Sequence, residues 1–176
     1  NLNIGDYWTL TYVSNTSAGT QAQNLKTTKI SVGTRFAGQY SVVQCEYWRI
    51  NVPRPDVTGP FLGTVVTIES VNATTYRKLE WAGPFSGNEF YFTIDSNDNV
   101  LVPTTYDGAE QILNALPAIN CTENPGDMLN ACSYPGIQNK AVRDDVLGKD
   151  RIYMSYGYLA ASGPREFYEV LEKVVD

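Results

Sequence analysis

Glu89-Phe90-Tyr91-Phe92-Thr93-Ile94-Asp95 alternates apolar and polar side chains over its whole length. Its three large apolar residues fall on one face of an extended chain and the intervening residues on the other, which is typical of a strand with one buried face. The next residues, Ser96-Asn97-Asp98-Asn99, are of the types that close a hairpin. They lead into Val100-Leu101-Val102, so this stretch predicts two antiparallel strands.

The rest of the chain carries the same kind of pattern between turn-forming residues. Extended segments are predicted at 7–13, 25–32, 40–50, 64–71, 74–81, 99–103 and 151–158. Residues 53–63 are rich in proline and glycine, which makes regular pairing hard to sustain there. The chain is therefore predicted to be all-β: an antiparallel meander that forms a small barrel or sandwich, with an N-terminal β-hairpin and at most one short helix.

Three segments depart from this alternation. Apolar residues of 109–116 recur at helical spacing and predict the short helix. In 164–174 the strand period mixes polar and apolar residues on both faces, so periodicity alone favours a helix. Residues 117–148 show no sustained period and predict a long surface loop.

Composition excludes several classes of function. The chain has 176 residues, a net charge of −6 and no histidine. The acidic balance argues against a nucleic-acid partner, which requires a basic surface. No apolar run is long enough for a transmembrane segment. The absence of imidazole removes every serine or cysteine mechanism that depends on it.

The chain contains three cysteines, Cys45, Cys121 and Cys132. Cys121 and Cys132 bracket a loop with an Asn-Pro-Gly turn that brings its ends together, so we predict a disulfide between them, worth about 3 kcal/mol in the chain-entropy model. The alternative is three reduced thiols in a cytosolic protein. Cys45, on a predicted strand, is most simply a small buried apolar residue.

A resemblance to a known family rests on several scattered segments. These are Phe36-Ala-Gly-Gln-Tyr-Ser-Val42, Glu46-Tyr-Trp-Arg-Ile50, Thr67-Ile-Glu-Ser-Val-Asn-Ala-Thr-Thr-Tyr-Arg77, Trp81-Ala-Gly-Pro-Phe85 and Pro164-Arg-Glu-Phe-Tyr-Glu-Val170. Through them, residues 34–176 resemble the C-terminal barrel-like domain of Bacteroidetes surface lipoproteins, which are associated with polysaccharide-utilisation (nutrient importer) loci. In that family the last segment closes the sheet, so the resemblance implies a strand at 164–174 rather than a helix.

The resemblance also implies a location and a domain organisation. It implies the extracellular face of the bacterial outer membrane, through a lipid-anchored precursor, or secretion. Residues 5–12 and 28–32 resemble the last hairpin of an immunoglobulin-like repeat that often precedes such a domain. We therefore expect an N-terminal hairpin, residues 1–33, as the tail of such a repeat, and a β-barrel-like domain at residues 34–176.

An aromatic platform is the candidate ligand site. Sugar rings stack on flat aromatic side chains whose neighbours bind the hydroxyl groups, and Trp48 and Trp81 are predicted near loop-proximal strand ends. Glu46, Arg49 and Glu80 are the predicted polar neighbours. The alternative is that these tryptophans serve cross-strand packing.

Two other motifs carry less chemistry. Asp95, Asn97 and Asn99 match the opening of a calcium loop, but Val100 and Tyr106 stand where that loop requires glycine and glutamate, so a hairpin turn is favoured. Acidic residues suited to glycoside hydrolysis are scattered over different strands, and their separations are not given by sequence. They are Glu46, Glu80, Glu89, Glu166 and Glu169. The sequence predicts no catalytic residue, no metal and no cofactor.

The leading functional prediction is a non-catalytic cell-surface accessory or glycan-binding module of a bacterial nutrient-uptake system. Its partners would be a polysaccharide or oligosaccharide and outer-membrane importer proteins. A structural or protein-interaction domain that docks onto an importer subunit is the first alternative. A carboxylate-dependent glycoside hydrolase is the second.

Overall fold

The computed structural model describes residues 7–15, 17, 19, 21–31, 33–79 and 89–175. Strands dominate these ranges, and the predicted all-β antiparallel class is confirmed. No helix in the described residues is long and apolar enough to cross a membrane.

The elements follow one another in short steps. The strands are β1 (Tyr7–Asn15), β2 (Gln21–Ser31), β3 (Gly38–Arg49), β4 (Val52–Pro53), β5 (Val65–Ser70), β6 (Thr75–Lys78), β7 (Phe90–Ile94), β8 (Val100–Leu101), β9 (Thr105–Tyr106), β10 (Ala109–Glu110), β11 (Ile112–Leu113), β12 (Leu116–Asn120), β13 (Lys140–Val142), β14 (Arg151–Ala160) and β15 (Gly163–Lys173). The helix α1 (Pro55–Thr58) runs into a 3-10 turn at Gly59–Phe61, and another 3-10 turn spans Ala131–Ser133.

The largest sheet is a curled antiparallel half-barrel. Its strand order is β11-β12-β14-β15-β3-β5-β6-β7-β8, with β13 paired to β14 and β4 paired to β3. Hydrogen bonds link β13 to the turn between β7 and β8: Ala141 N donates to Asp98 O at 2.8 Å, and Val100 N donates to Asn139 O at 2.9 Å. These bonds bring the two ends of the curled sheet together.

The sheet is covered on both faces in its central strands. The inner face holds the main core, which includes Tyr40, Ile68, Phe92 and Phe167. The outer face of β3, β14 and β15 lies under the segment between β12 and β13, where Met128, Ala131 and Tyr134 pack against Trp48, Ile119, Tyr168 and Val170. The prediction of a plain surface loop at 117–148 is therefore wrong in part, since this segment contains two strands and supplies buried residues.

The two ambiguous segments are both strands. Residues 163–173 form β15, as the family resemblance implies and against the helical period. The predicted helix at 109–116 is wrong: this stretch forms β10, β11 and the start of β12. Asn114 and Ala115 have φ of 52° and 59°, so they close a tight turn that a helix does not allow. The short helix lies instead at α1.

The N-terminal hairpin is present as β1 and β2, which pair with each other in a separate sheet. Trp8 pairs with Ile30, and both are 46% exposed. The assignment of residues 1–33 to a preceding repeat stays a prediction.

Candidate functional site

The outer face of β6 and β7 carries an aromatic residue beside a charged network. Along β7, Phe90, Phe92 and Ile94 are buried and Tyr91 alternates with them, so its ring lies on the outer face. In the register of the two strands Tyr91 is directly opposite Arg77. Side chains in such positions lie about 5 Å apart at Cβ, so the ring and the guanidinium are neighbours.

A second tyrosine stacks on the first. The ring centroids of Tyr91 and Tyr106 are 3.7 Å apart with an interplanar angle of 10°. Tyr106 belongs to the small hairpin of β9 and β10, which is a separate sheet. Both rings are half-buried, and together they form a flat aromatic pair on the outer face. We call Tyr91, Tyr106 and Arg77 with its ion-pair partners the tyrosine platform.

The buried side chain of Gln111 holds this hairpin to the edge of β7. Its Oε1 accepts from Tyr91 N at 2.7 Å, and its Nε2 donates to Tyr91 O at 3.0 Å. The carboxamide thus makes the two bonds that a neighbouring strand would make. The same Nε2 also donates to Pro103 O. Because these bonds fix the backbone on both sides, they fix the position of Tyr91 relative to Tyr106.

Arg77 lies between two carboxylates. Its Nη2 is 2.5 Å from Glu69 Oε2, and its Nη1 is 3.3 Å from Glu89 Oε2. The hydrogen bond to Glu69 is the main reason why the pKa of Arg77 is raised above its ordinary value. The guanidinium is therefore charged and held in place beside the tyrosine pair. This arrangement offers donors and acceptors at the edge of an aromatic surface, which is how proteins bind the hydroxyl groups of a stacked sugar.

A polar cleft continues the platform along β7. Thr93 follows Tyr91 on the same face, about 7 Å further along the strand. It lines a cleft of about 450 Å³ between the β7–β8 hairpin and the segment after β12. The polar side chains of the lining are those of Thr93, Asp95, Asn99, Asn120, Thr122, Asn139 and Ser155. Hydroxyl, amide and carboxylate groups dominate this wall, so the cleft suits a hydroxyl-rich ligand.

Local hydrogen bonds make the walls of the cleft rigid. Asn120 Oδ1 accepts from the backbone N–H groups of Thr122 and Glu123, each at 2.8 Å. Asn139 Oδ1 accepts from Ser155 N at 2.8 Å, and its Nδ2 donates to Cys121 Sγ at 3.4 Å. The cleft wall is thus tied to the cysteine-bearing segment.

The disulfide fixes that segment. Cys121 and Cys132 are bonded as predicted, with their Cα atoms 5.7 Å apart. The buried carboxylate of Glu166 accepts from Asn130 N at 2.7 Å and from Ala131 N at 2.8 Å, and so anchors the segment to β15. Cys45 is free and buried. Burial raises the pKa of its thiol far above the ordinary range, with a further contribution from Glu169.

Only part of the sequence-predicted platform lies in the described residues. Trp48 is only 8% exposed and packs edge-on against Tyr134, with ring centroids 5.6 Å apart. This placement favours the packing alternative, because neither face of its indole is open to a sugar ring. Glu46 accepts from the Tyr134 hydroxyl at 3.0 Å, and Arg49 is exposed at the end of β3. Trp81 and Glu80 lie outside the described residues.

The other acidic candidates also have structural partners. Glu166 holds the 3-10 turn at residues 131–133, and Glu169 lies inside the half-barrel beside Lys78. The Asp95 carboxylate accepts from the N–H groups of Asn97 and Asn99, each at 2.8 Å, and forms the predicted hairpin turn. No group of three or more metal-binding side chains occurs in the part of the chain that the structure describes.

Sequence reasoning missed the tyrosine platform. The alternation of 89–95 places Tyr91 and Thr93 on the polar face, and this indicated that the Tyr91 ring faces away from the core. The stacking of Tyr106 was not predictable, because it depends on a short hairpin in a region assigned to a helix.

In comparisons with known proteins, no family model and no curated protein matches this chain.

Proposed function

We propose that this chain is a non-catalytic glycan-binding module that acts as an accessory of a bacterial cell-surface nutrient-uptake system. The observation that carries the proposal is the stacked pair of Tyr91 and Tyr106 beside Arg77 and its two carboxylate partners. Aromatic side chains supply flat apolar area with little conformational freedom to lose, and the flanking ions supply hydrogen bonds of fixed direction.

The neighbouring cleft supports a ligand longer than one sugar. The platform and the cleft share the outer face of β7, so a chain molecule that stacks on Tyr106 has a polar groove next to it. Such a shallow, wet site gains little apolar burial and must immobilise a flexible ligand. We therefore expect affinities in the micromolar to millimolar range, as suits transient capture.

The disulfide supports the cell-surface part of the proposal. Structural disulfides persist in oxidising compartments and are rare in the cytosol. The Cys121–Cys132 bond closes the segment that forms one wall of the cleft. This reasoning supports an extracellular or surface location, and the family resemblance supports lipid anchoring.

A protein-interaction domain that docks onto an importer subunit is the second candidate. The N-terminal hairpin favours it, because Trp8, Leu10 and Ile30 alternate onto one face and are 46%, 41% and 46% exposed. An isolated two-stranded hairpin is marginally stable on its own, and a docked partner would cover this face.

The proposal is tested by affinity gel electrophoresis in soluble polysaccharides. We expect at least one of them to retard the protein, and Tyr106→Ala to abolish the retardation because the outer stacking surface is removed. Tyr106→Phe is the matched control: it keeps the ring and should keep most of the retardation. Thermal unfolding checks that both variants are folded.

Three outcomes would count against this function. Equal retardation of wild type and Tyr106→Ala would place binding elsewhere. Absence of retardation in every polysaccharide would leave the docking domain as the better account. Release of reducing sugar from any of them would favour the glycoside hydrolase alternative.

A further inference from the structure

We propose that the tyrosine platform selects uncharged glycans and excludes anionic ones, such as polymers of uronic acids or sulfated sugars. This inference rests on the proposed function and names the ligand class of the same site. It is drawn from the distribution of charge around the two stacked rings.

Among the described residues that flank the rings, carboxylates outnumber cations. Glu69 and Glu89 lie on either side of Arg77, with exposed fractions of 37% and 47%. Asp107 and Glu110 are exposed on the same small hairpin as Tyr106. At 0.1 M salt the Debye length is about 10 Å, so these charges act together on a ligand that touches the platform. An anionic polymer would be repelled.

The two cations that the described residues place near the site already bond protein oxygens. Arg77 is the cation opposite Tyr91, and both sides of its guanidinium face a carboxylate. At the far end of the cleft, the Lys140 ammonium donates to the backbone oxygen of Asn97 and to Asn99 Oδ1. To pair with Arg77, a ligand carboxylate or sulfate would have to compete with Glu69 and Glu89, whereas a neutral sugar does not compete for this cation.

The same carboxylates are suited to neutral sugars. Hydroxyl groups donate to ionised oxygens in charge-assisted hydrogen bonds, which are shorter and stronger than bonds between neutral groups. Because Arg77 fixes Glu69 at 2.5 Å, this acceptor is oriented before a ligand arrives. Among the described residues, the platform thus presents a stacking surface, fixed acceptors and a cation that already pairs with two carboxylates.

Matched pairs of polymers test this inference. Dextran and dextran sulfate share one backbone, and hydroxyethyl cellulose and carboxymethyl cellulose share another. We expect retardation by at least one neutral polymer and by neither anionic counterpart at low salt. Equal or stronger retardation by an anionic form would overturn the selectivity while leaving glycan binding intact. Absence of retardation by all four, and by the wider polysaccharide set above, would overturn the proposed function itself.

A gain of binding provides the sharper test. The double variant Glu69→Gln/Glu89→Gln removes both ion-pair partners of Arg77, and we expect it to be retarded by dextran sulfate, unlike the wild type. The control is Asp56→Asn/Glu172→Gln, which also removes two negative charges. It takes these carboxylate partners away from Arg54 and Arg151, which lie outside the platform. Equal gain in both variants, or gain in neither, would contradict the role assigned to the carboxylates of the platform.

Discussion

Lys78 and Glu169 meet inside the half-barrel, where Lys78 Nζ lies 3.5 Å from Glu169 Oε2 and both side chains are fully buried. They come from β6 and β15, which are separated in the sheet by β3 and β5, so the pair spans the interior. The Tyr156 hydroxyl donates to the same Oε2 at 2.7 Å, and no described residue donates to Oε1. The interior therefore contains a buried ion pair to which a tyrosine hydroxyl is bonded.

The first prediction concerns this centre. Lys78→Met should destabilise the fold by about 3–5 kcal/mol, because it leaves the buried Glu169 carboxylate without its counter-charge. The double variant Lys78→Met/Glu169→Leu should be closer to the wild type than Lys78→Met, since it removes both buried charges and leaves only the Tyr156 hydroxyl without its Glu169 acceptor. Urea unfolding of the wild type, Lys78→Met, Glu169→Leu and the double variant measures the coupling. Additive effects of the two substitutions would contradict the pairing.

A second prediction concerns Gly157 on β14. A Cβ atom at this position would lie 2.2 Å from the backbone oxygen of Arg165 on the paired strand β15. Gly157→Ala should therefore push the strands apart and cost about 2–3 kcal/mol, as overpacked sites do. Gly126→Ala is the control, because a Cβ there meets nothing within 4 Å, and its effect should stay within about 0.5 kcal/mol. A Gly157 variant as stable as the control would contradict the close approach.

The third prediction concerns the cysteines. Denatured, unreduced protein should titrate with one free thiol, that of Cys45, and reduced protein with three. Folded protein at pH 8 should react slowly, because burial keeps Cys45 protonated and covered. Reduction should destabilise the fold by about 3 kcal/mol, given a loop closed over 11 residues. Three free thiols in unreduced protein would contradict the Cys121–Cys132 disulfide and, with it, the argument for an oxidising compartment.

Acid unfolding provides the fourth prediction. Burial opposes ionisation of Asp150, but hydrogen bonds from Arg35 Nε at 2.8 Å and from Asp144 N at 2.9 Å outweigh it, so its pKa lies below the ordinary value. A carboxyl group with a lowered folded-state pKa stabilises the fold above its unfolded value of about 3.9, and this contribution is lost as the pH falls through the folded value. Asp150→Asn should therefore cost about 1–3 kcal/mol at pH 7 and flatten the loss of stability below pH 4.

The control for Asp150 is its neighbour on the same arginine. Asp145 is bonded to Arg35 at 2.6 Å, but its side chain is 78% exposed. Asp145→Asn should change stability by less than about 1 kcal/mol, as exposed ion pairs do. Equal effects of the two substitutions at pH 7 would show that burial of Asp150 adds nothing.

The sequence predicted strands correctly where one face of the sheet is buried and the other is exposed to solvent. The alternation of 90–94 survives because only the inner face of β7 is buried. It fails for β15, because both faces are covered: Glu169 and Leu171 face the interior, and Tyr168 and Val170 lie under the disulfide-bonded segment. In such a strand, polar and apolar residues no longer alternate with the period of two that identifies a strand. The family resemblance, rather than periodicity, gave the strand at this point.

The candidate site was less predictable than the fold. Trp48 is large and near a strand end, yet the segment after β12 covers it, and nothing in its local sequence indicates that cover. Tyr91 and Tyr106 are brought together by Gln111, a single side chain that replaces a strand partner. Such a long-range contact leaves no periodic trace in the sequence.

The last prediction tests this role of Gln111. Its side chain is 6% exposed and bonds both backbone groups of Tyr91, so Gln111→Ala leaves the part-buried N–H and C=O of Tyr91 without these partners. We expect a loss of about 1–3 kcal/mol in stability, and faster hydrogen exchange at the Tyr91 amide. Gln39→Ala, which shortens an exposed glutamine on β3, should change stability by less than about 0.5 kcal/mol.

The same variant separates positioning from contact. If the platform binds glycan, Gln111→Ala should weaken retardation in the neutral polymer even though Gln111 is buried away from it, because Tyr91 is no longer fixed under Tyr106. Gln111→Glu should behave similarly, since a carboxylate can accept from Tyr91 N but cannot donate to Tyr91 O. Unchanged retardation in folded Gln111→Ala would mean that the tyrosine pair is held by other contacts.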